Sequence, residues 1–211
     1  MRSSRWHAHG NEYLLVEADT PLTADDARAL VESADGIVEV VAVQGNEMQI
    51  VIWNPDGSVA EMSGNGTRIA ARWLAEQAET ATVTVQVGPR NVAARVLADG
   101  LVEQDLGQVT VSAPVELEGL TVIPVSVGNP HAVVAGEPAD LAWIGPLLEQ
   151  HPHFPNRTNV QVARVDAPGE VTARVWERGV GETSSSGTSA VAVAAATQPA
   201  GGEVVVHFPG G

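Results

Sequence analysis

Two serine–glycine pairs occupy matching places in the two halves of this sequence. Ser63 and the glycine after it come ten residues after Trp53, and Ser186 and its glycine come ten residues after Trp176. In each half the tryptophan ends an apolar alternating run. The repeat predicts two similar lobes, each presenting a loop, a small nucleophile-sized side chain and a helix start to one shared ligand.

Each serine also stands directly before a helical pattern. Exposed backbone N–H groups and the helix dipole favour anions at such a position, including carboxylates. Gly64, Gly66 and Gly187 carry no side chain, so a ligand could approach the backbone closely. Serine is equally a preferred N-cap, and at one site alone capping is the better interpretation. Two sites with matched surroundings favour a ligand site.

Other polar residues could converge with these serines. Four asparagines stand at predicted strand ends or turns: Asn11, Asn54, Asn129 and Asn159. Asparagine is common in turns, so no single one of them indicates a binding site. His131 is either a buried, satisfied histidine or a group that activates one serine.

Two pairs, one charged and one metal-like, remain in the second half. Glu177 and Arg178 follow Trp176 and are either ligand contacts or a surface ion pair. His151 and His153 lack a carboxylate or cysteine at a convincing companion spacing, so we interpret them as loop residues and predict no metal site.

Alternation and helical periodicity then give the elements that must position these residues. Helices are predicted over 24–33, 66–77, 141–150 and 188–196. Strands are predicted over 13–17, 37–43, 48–53, 82–87, 92–97, 101–106, 120–127, 132–135, 159–165, 171–176 and 203–208. The expected fold class is α+β, with two pseudo-symmetric lobes (1–112 and 113–211), each a curled, mostly antiparallel sheet around a central helix.

Composition and charge argue against several classes of partner and cofactor. The 211 residues carry a formal net charge of −15, which argues against nucleic acid and anionic membranes as partners. No signal-like segment and no apolar run of membrane-spanning length is evident, so we expect a cytoplasmic protein. The sequence contains neither cysteine nor lysine, which excludes a thiol nucleophile and an internal aldimine of pyridoxal phosphate.

Taken together, these stretches resemble the diaminopimelate epimerase family. The resemblance rests on H-A-H-G-N-E-Y from His7, N-P-D-G-S-V-A-E-M-S-G-N-G-T-R from Asn54, V-G-N-P-H from Val127, and E-R-G-V-G-E-T-S-S-S-G-T from Glu177. They occur in the family's order over nearly the whole chain. The resemblance implies a cofactor-independent, two-base inversion of an amino-acid α-carbon in lysine and peptidoglycan precursor synthesis, with diaminopimelate or a similar amino acid as substrate.

The resemblance also assigns roles to individual residues. It implies that Ser63 and Ser186 hold the acid–base positions and that His131 and Glu177 tune them. It implies a substrate-binding set of Asn11, Asn54, Gly64, Asn65, Asn129, Asn159, Glu177, Arg178, Gly187 and Thr188. A homodimer is left open.

The sequence departs from the family at two places. The family's acid–base residues are cysteines, and an alcohol ionises at far higher pH than a thiol, whose reference pKa is about 8.5. The family also continues through further strands beyond the point where this sequence stops, so the second lobe is expected to be incomplete. Two alternatives follow: a catalytically silent amino-acid-binding homologue, and an isomerase or dehydratase of the proline racemase type.

Overall fold

The computed structural model describes residues 1–31 and 34–211, which fall into two compact units, Met1–Gly107 and Gln108–Gly211. The end of the helix predicted over 24–33 falls on Glu32 and Ser33, outside the described residues. Among the helices of the described residues, none is both long and apolar enough to cross a membrane.

The first unit is one sheet with two helices. Its helices are α1 (Ala24–Leu30) and α2 (Gly64–Gln77). Its strands are β1 (Arg2–Ala8), β2 (Asn11–Glu17), β3 (Gly36–Gln44), β4 (Glu47–Trp53), β5 (Val59–Ala60), β6 (Thr82–Val87), β7 (Arg90–Val96) and β8 (Val102–Asp105). They pair in the order β1-β2-β3-β4-β6-β7-β8, with β5 on β4.

Helix α2 is the centre of this unit. It packs against all seven strands of the main sheet path, so the sheet curls around it. The apolar face predicted for this helix lies in the core, where Ile69, Ala70 and Leu74 are buried and Trp73 is partly buried. Burying this face against the sheet is the main source of the helix's stability.

The second unit repeats this plan. Its helices are α3 (Leu141–Glu149) and α4 (Gly187–Thr197), with a short 3-10 turn, Pro138–Asp140, before α3. Its strands are β9 (Thr110–Val111), β10 (Val115–Leu117), β11 (Leu120–Ser126), β12 (Pro130–Ala135), β13 (Asn159–Ala167), β14 (Glu170–Glu177), β15 (Gly181–Thr183) and β16 (Val205–His207). They pair in the order β10-β11-β12-β13-β14-β15, with β9 on β11 and β16 on β14.

Strand register shows how closely the two units match. In the first, β2 runs parallel to β3 and β3 antiparallel to β4, which places Ile37 opposite Trp53. In the second, β12 runs parallel to β13 and β13 antiparallel to β14, which places Val160 opposite Trp176. The two tryptophans found by sequence therefore hold equivalent places, and the predicted α+β class with two curled sheets is confirmed.

Helix α4 and five strands differ from the prediction: β1 and the short strands β5, β9, β10 and β15 were not predicted. Strand β1 was not predicted, because R-S-S-R-W-H-A lacks apolar alternation; it is an edge strand, largely exposed, that pairs only with β2. Helix α4, expected to be buried all round, is buried from Gly187 to Ser189 and at Ala192 and Val193 but only half-buried over its last turn. A helix of alanine and valine needs no polar face when its neighbours cover most of it.

Candidate active site

Ser63 lies at the start of α2 and is the N-cap of that helix. Its backbone is extended (φ −140°), and its Oγ accepts a hydrogen bond from the Gly66 N–H at 3.0 Å. The Tyr13 hydroxyl, on the inward face of β2, lies 3.0 Å from the same Oγ. Tyr13 is 7% exposed and Ser63 is half-buried, so this hydroxyl pair is partly shielded from water.

The first turn of α2 is held by further polar contacts. Thr67 Oγ1 donates to the Ser63 carbonyl at 2.8 Å and accepts from Gln104 Nε2 at 2.9 Å. Arg68 Nη1 donates to Asn65 Oδ1 at 3.3 Å. Asn65 is 2% exposed. These contacts fix the backbone around Ser63, so its Oγ has a defined direction.

Asn54 occupies a turn. Its N–H donates to the Ser58 carbonyl at 2.8 Å, its side-chain amide donates to Ser58 Oγ at 2.9 Å, and its own carbonyl accepts from Gly57. The turn predicted by N-P-D-G is therefore present.

The second unit carries a buried chain of hydrogen bonds around His131. Nε2 of His131 lies 2.8 Å from Asn129 Oδ1, and Nδ1 lies 3.1 Å from Gln161 Nε2. The Gln161 amide also donates to Ser189 Oγ at 3.0 Å, and Asn129 Nδ2 donates to Thr188 Oγ1 at 3.3 Å. Burial lowers the pKa of His131 to about 3, so the ring is neutral at physiological pH.

These hydrogen bonds leave Ser186 without a contact to His131. Ser186 is the N-cap of α4 and is 7% exposed, but its side chain makes no capping hydrogen bond. In the described part of the chain, both ring nitrogens of His131 face amides and neither bonds to Ser186. Of the two interpretations of His131 left open by sequence, the geometry supports the buried, satisfied histidine.

The E-R-G turn between β14 and β15 is fixed at successive residues. Thr183 Oγ1 donates to Glu177 Oε1 at 2.6 Å, and the Arg178 N–H donates to Asn159 Oδ1 at 3.0 Å. Asn159 Nδ2 in turn donates to the Pro130 carbonyl at 2.9 Å. Asn159 therefore ties this turn to the start of β12, close in the chain to Asn129 and His131.

A buried carboxylate holds the next residue of that turn. Glu149, at the end of α3, is 4% exposed and accepts from the Gly179 N–H at 2.7 Å and from Trp176 Nε1 at 2.9 Å. The guanidinium of Arg157 completes an ion pair with the same carboxylate. Glu149 thus links the repeated tryptophan to the E-R-G turn.

The first unit has a counterpart to this arrangement. Trp53 Nε1 donates to Glu39 Oε2 at 2.8 Å, and the Leu22 N–H donates to Glu39 Oε1 at 2.8 Å. Here the carboxylate comes from β3 and not from a helix, so the contact is shared while its origin in the chain differs.

The structure places the predicted residues in two groups. Ser63, Gly64 and Asn65 lie at the start of α2, and Ser186, Gly187 and Thr188 at the start of α4, where Asn129 joins the latter group through Thr188. Asn11 is buried two residues before Tyr13 on the same strand. His151 and His153 follow α3, where the His153 N–H donates to His151 Nδ1 at 3.1 Å.

Four residues that form the hydrogen bonds of these two regions were not predicted from the sequence: Gln104, Glu149, Gln161 and Thr183. Gln161 had a usable signal, because a glutamine inside the apolar run N-V-Q-V shares a face with Asn159 and must be buried with it. Glu149 and Thr183 had none, since their partners lie on other elements.

Comparison with known proteins shows the family of this chain. The family model described as diaminopimelate epimerase matches residues 8–112 and 123–211. The diaminopimelate epimerase of Desulforudis audaxviator is 35% identical over 248 aligned positions, covering 100% of this chain and 89% of that protein. That of Synechocystis sp. is 35% identical, covering 99% and 88%.

The chain belongs to the diaminopimelate epimerase family. Solved structures have a fold similar to that of this chain. A hydroxyproline epimerase from Agrobacterium vitis superposes with a TM-score of 0.73 at 16% identity, covering 98% of this chain and 79% of that one. A predicted epimerase from Pseudomonas aeruginosa gives a TM-score of 0.69 at 17% identity, covering 90% and 77%.

Proposed function

We propose that this chain is a cofactor-independent amino-acid epimerase that acts on diaminopimelate or a close analogue, with Ser63 and Ser186 at the two proton-transfer positions. The observation that carries the proposal is the duplicated arrangement itself. In each unit a serine is the N-cap of the central helix. The strand that follows the Gly-Asn pair runs parallel to its neighbour in both units, β2 to β3 and β12 to β13. Inverting a carbon needs one proton-transfer group on each of its faces, and each unit carries one candidate serine.

The helix starts support the binding half of the proposal. The substrate α-carboxylate would be held by first-turn N–H groups, where the helix dipole also stabilises the negative charge that develops as the α-proton leaves. Gly64 and Gly187 leave this backbone uncovered. The amide groups of Asn11, Asn65, Asn129 and Asn159, with Glu177 and Arg178, would orient the amino and distal groups of the substrate.

The serines set the expected rate. A thiol with a reference pKa near 8.5 supplies a usable thiolate at neutral pH, and an alcohol does not. Each unit of pKa corresponds to about 1.36 kcal/mol. We therefore expect the chain as it stands to exchange the α-proton several orders of magnitude more slowly than a variant with Ser63→Cys plus Ser186→Cys.

Deuterium wash-in tests the proposal directly. The double-cysteine variant is incubated with diaminopimelate in deuterated buffer, and α-deuterium and stereochemical inversion are followed by mass spectrometry and chiral chromatography. A matched control, Ser112→Cys, adds a thiol at an exposed serine outside the site. We expect exchange with inversion in the double variant and no gain in the control. An inactive double variant that still folds would refute the proposal.

Family membership also suggests the cellular setting. We place the activity in lysine and peptidoglycan precursor synthesis and in the cytoplasm, supported by the family match. Sedimentation velocity tests whether the chain assembles as a homodimer.

A further inference from the structure

The two units differ in what contacts the serine. Tyr13 and His131 hold equivalent places, since each lies two residues after the asparagine of a Gly-Asn pair and each strand runs parallel to its neighbour. The Tyr13 hydroxyl bonds to Ser63 Oγ at 3.0 Å. The His131 ring bonds to Asn129 and Gln161.

We infer that Tyr13 is the proton relay partner of Ser63. This rests on the proposed function, because it assumes that a substrate α-carbon lies against Ser63. Tyr13 acts through Ser63 and is in that sense a positioning and relay residue.

In the direction of proton removal, the relay begins with Tyr13 as phenolate and Ser63 as alcohol. The α C–H bond breaks and its proton goes to Ser63 Oγ, while the Ser63 hydroxyl proton passes to the phenolate oxygen of Tyr13. The electron pair stays on the α-carbon, conjugated with the substrate carboxylate. In the reverse direction the Tyr13 phenol returns a proton to Ser63, which protonates the carbon.

Chemistry favours tyrosine over serine as the group that stores the charge. A phenol has a reference pKa near 10, far below that of an aliphatic alcohol, so the anion resides on Tyr13. A hydrogen bond from Ser63 to the phenolate stabilises that anion further. The exchange rate should therefore rise about tenfold per pH unit until the phenol has ionised.

Other charged groups of this unit have partners of their own. Arg5 on β1 pairs with Glu12 on β2, and Asp35 accepts from the Glu12 N–H. Glu39 on β3 accepts from Trp53 and Leu22.

On the other side of the pair, Arg68 on α2 donates to Asn65, and burial lowers its pKa. Burial and the charge of Arg68 lower the pKa of His9 below 6.5. Tyr13 is the one phenol of the sequence, so we assign an alkaline limb of the exchange rate to its ionisation.

A spectroscopic experiment reads the relay without substrate. Tyr13 is the one tyrosine in the sequence, so the ultraviolet absorbance of phenolate reports this residue alone. Ser63→Ala removes the hydroxyl that stabilises the phenolate, so the titration midpoint should move to higher pH. The matched control Ser112→Ala, at an exposed serine, should leave it unchanged. An unmoved midpoint in Ser63→Ala would overturn the relay.

The kinetic test uses two backgrounds. Tyr13→Phe in the chain as it stands should lower deuterium wash-in about 100-fold or more and remove the alkaline limb, the range expected of acid–base groups. In the double-cysteine background it should have little effect, because a thiol ionises unaided. An equal loss in both would assign Tyr13 a structural role only.

Two remaining results separate the inference from the function. Exchange in the double-cysteine variant, with none at any pH in the unmodified chain, overturns the relay and leaves the epimerase proposal standing. No exchange in either background defeats the proposed function itself.

Discussion

Glu149 should be one of the most sensitive carboxylates in the second unit. It is 4% exposed and accepts hydrogen bonds from the indole of Trp176 and the backbone of Gly179, besides pairing with Arg157. We consider the substitution Glu149→Gln, which keeps the shape of the side chain but removes its charge and one of its two acceptor oxygens.

The cost follows from these contacts. Hydrogen bonds to a charged group contribute about 1.5–3 kcal/mol each, and a buried donor left without an acceptor costs about 1–3 kcal/mol. Glutamine keeps one oxygen, so either Trp176 Nε1 or the Gly179 N–H loses its acceptor. Arg157 is 44% exposed and adds no more than a surface pair, about 0–1 kcal/mol. We expect Glu149→Gln to destabilise the fold by about 3 kcal/mol.

Urea unfolding followed by tryptophan fluorescence measures this cost, and amide hydrogen exchange at Gly179 measures the local effect. The matched control is Glu103→Gln, which removes the charge from a surface ion pair with Arg95 in which both side chains are 61% exposed. That control should cost less than about 1 kcal/mol. If Glu149→Gln costs no more than the control and Gly179 stays protected, the carboxylate does not hold the turn and the reasoning is wrong.

Two further predictions concern a glycine and a buried histidine. Gly36→Ala should destabilise by about 1–3 kcal/mol in urea unfolding, because its Cβ would lie 2.8 Å from both the Trp53 carbonyl and the Tyr13 ring; Gly136→Ala, whose nearest atom is 3.5 Å away, should change stability by less than about 0.5 kcal/mol. His131 has a folded pKa of about 3 against 6.5, so its contribution to stability is complete above pH 6.5 and is lost as pH falls from 6.5 toward 3, by about 1.36 kcal/mol per unit. An imidazole NMR signal that titrates near pH 6.5 in the folded protein would contradict this.

Much of the fold could be predicted because its determinants are local. The two tryptophans end apolar strands, and the Ser-Gly pairs precede helical patterns, so the internal repeat was visible in residue order alone. The helix N-cap role of Ser63 and Ser186 follows from the same local rule. Strand β1 escaped prediction because an edge strand satisfies its backbone on one side only and needs no apolar alternation.

The site was predicted less completely, since its contacts join distant elements. Glu39 and Glu149 both receive a tryptophan N–H, yet one comes from a strand and the other from a helix end. Acidic residues are usually exposed, so no pattern marks these two as buried. Whether His131 would contact Ser186 depended on Gln161, which lies 30 positions away in the chain.

The residue opposite each aromatic ring differs between the two units. Tyr13 lies opposite Gly36 across a parallel pair, and His131 lies opposite Asn159 at the same register. A Cβ at Gly36 would lie 2.8 Å from the Tyr13 ring, so the tyrosine fills space that a side chain would otherwise use.

In the second unit the aromatic ring is smaller and the residue opposite it is larger. The smaller imidazole of His131 is accompanied by Asn159, whose amide bonds to the E-R-G turn. The two units therefore have the same strand pairing but different contacts. In the first, the Tyr13 hydroxyl lies against Ser63, and in the second, the Asn159 amide bonds to the E-R-G turn. A Tyr13→His plus Gly36→Asn variant removes the contact with the tyrosine ring but keeps the 2.8 Å contact between the new Cβ and the Trp53 carbonyl, so it should unfold at lower urea concentration than the unmodified chain.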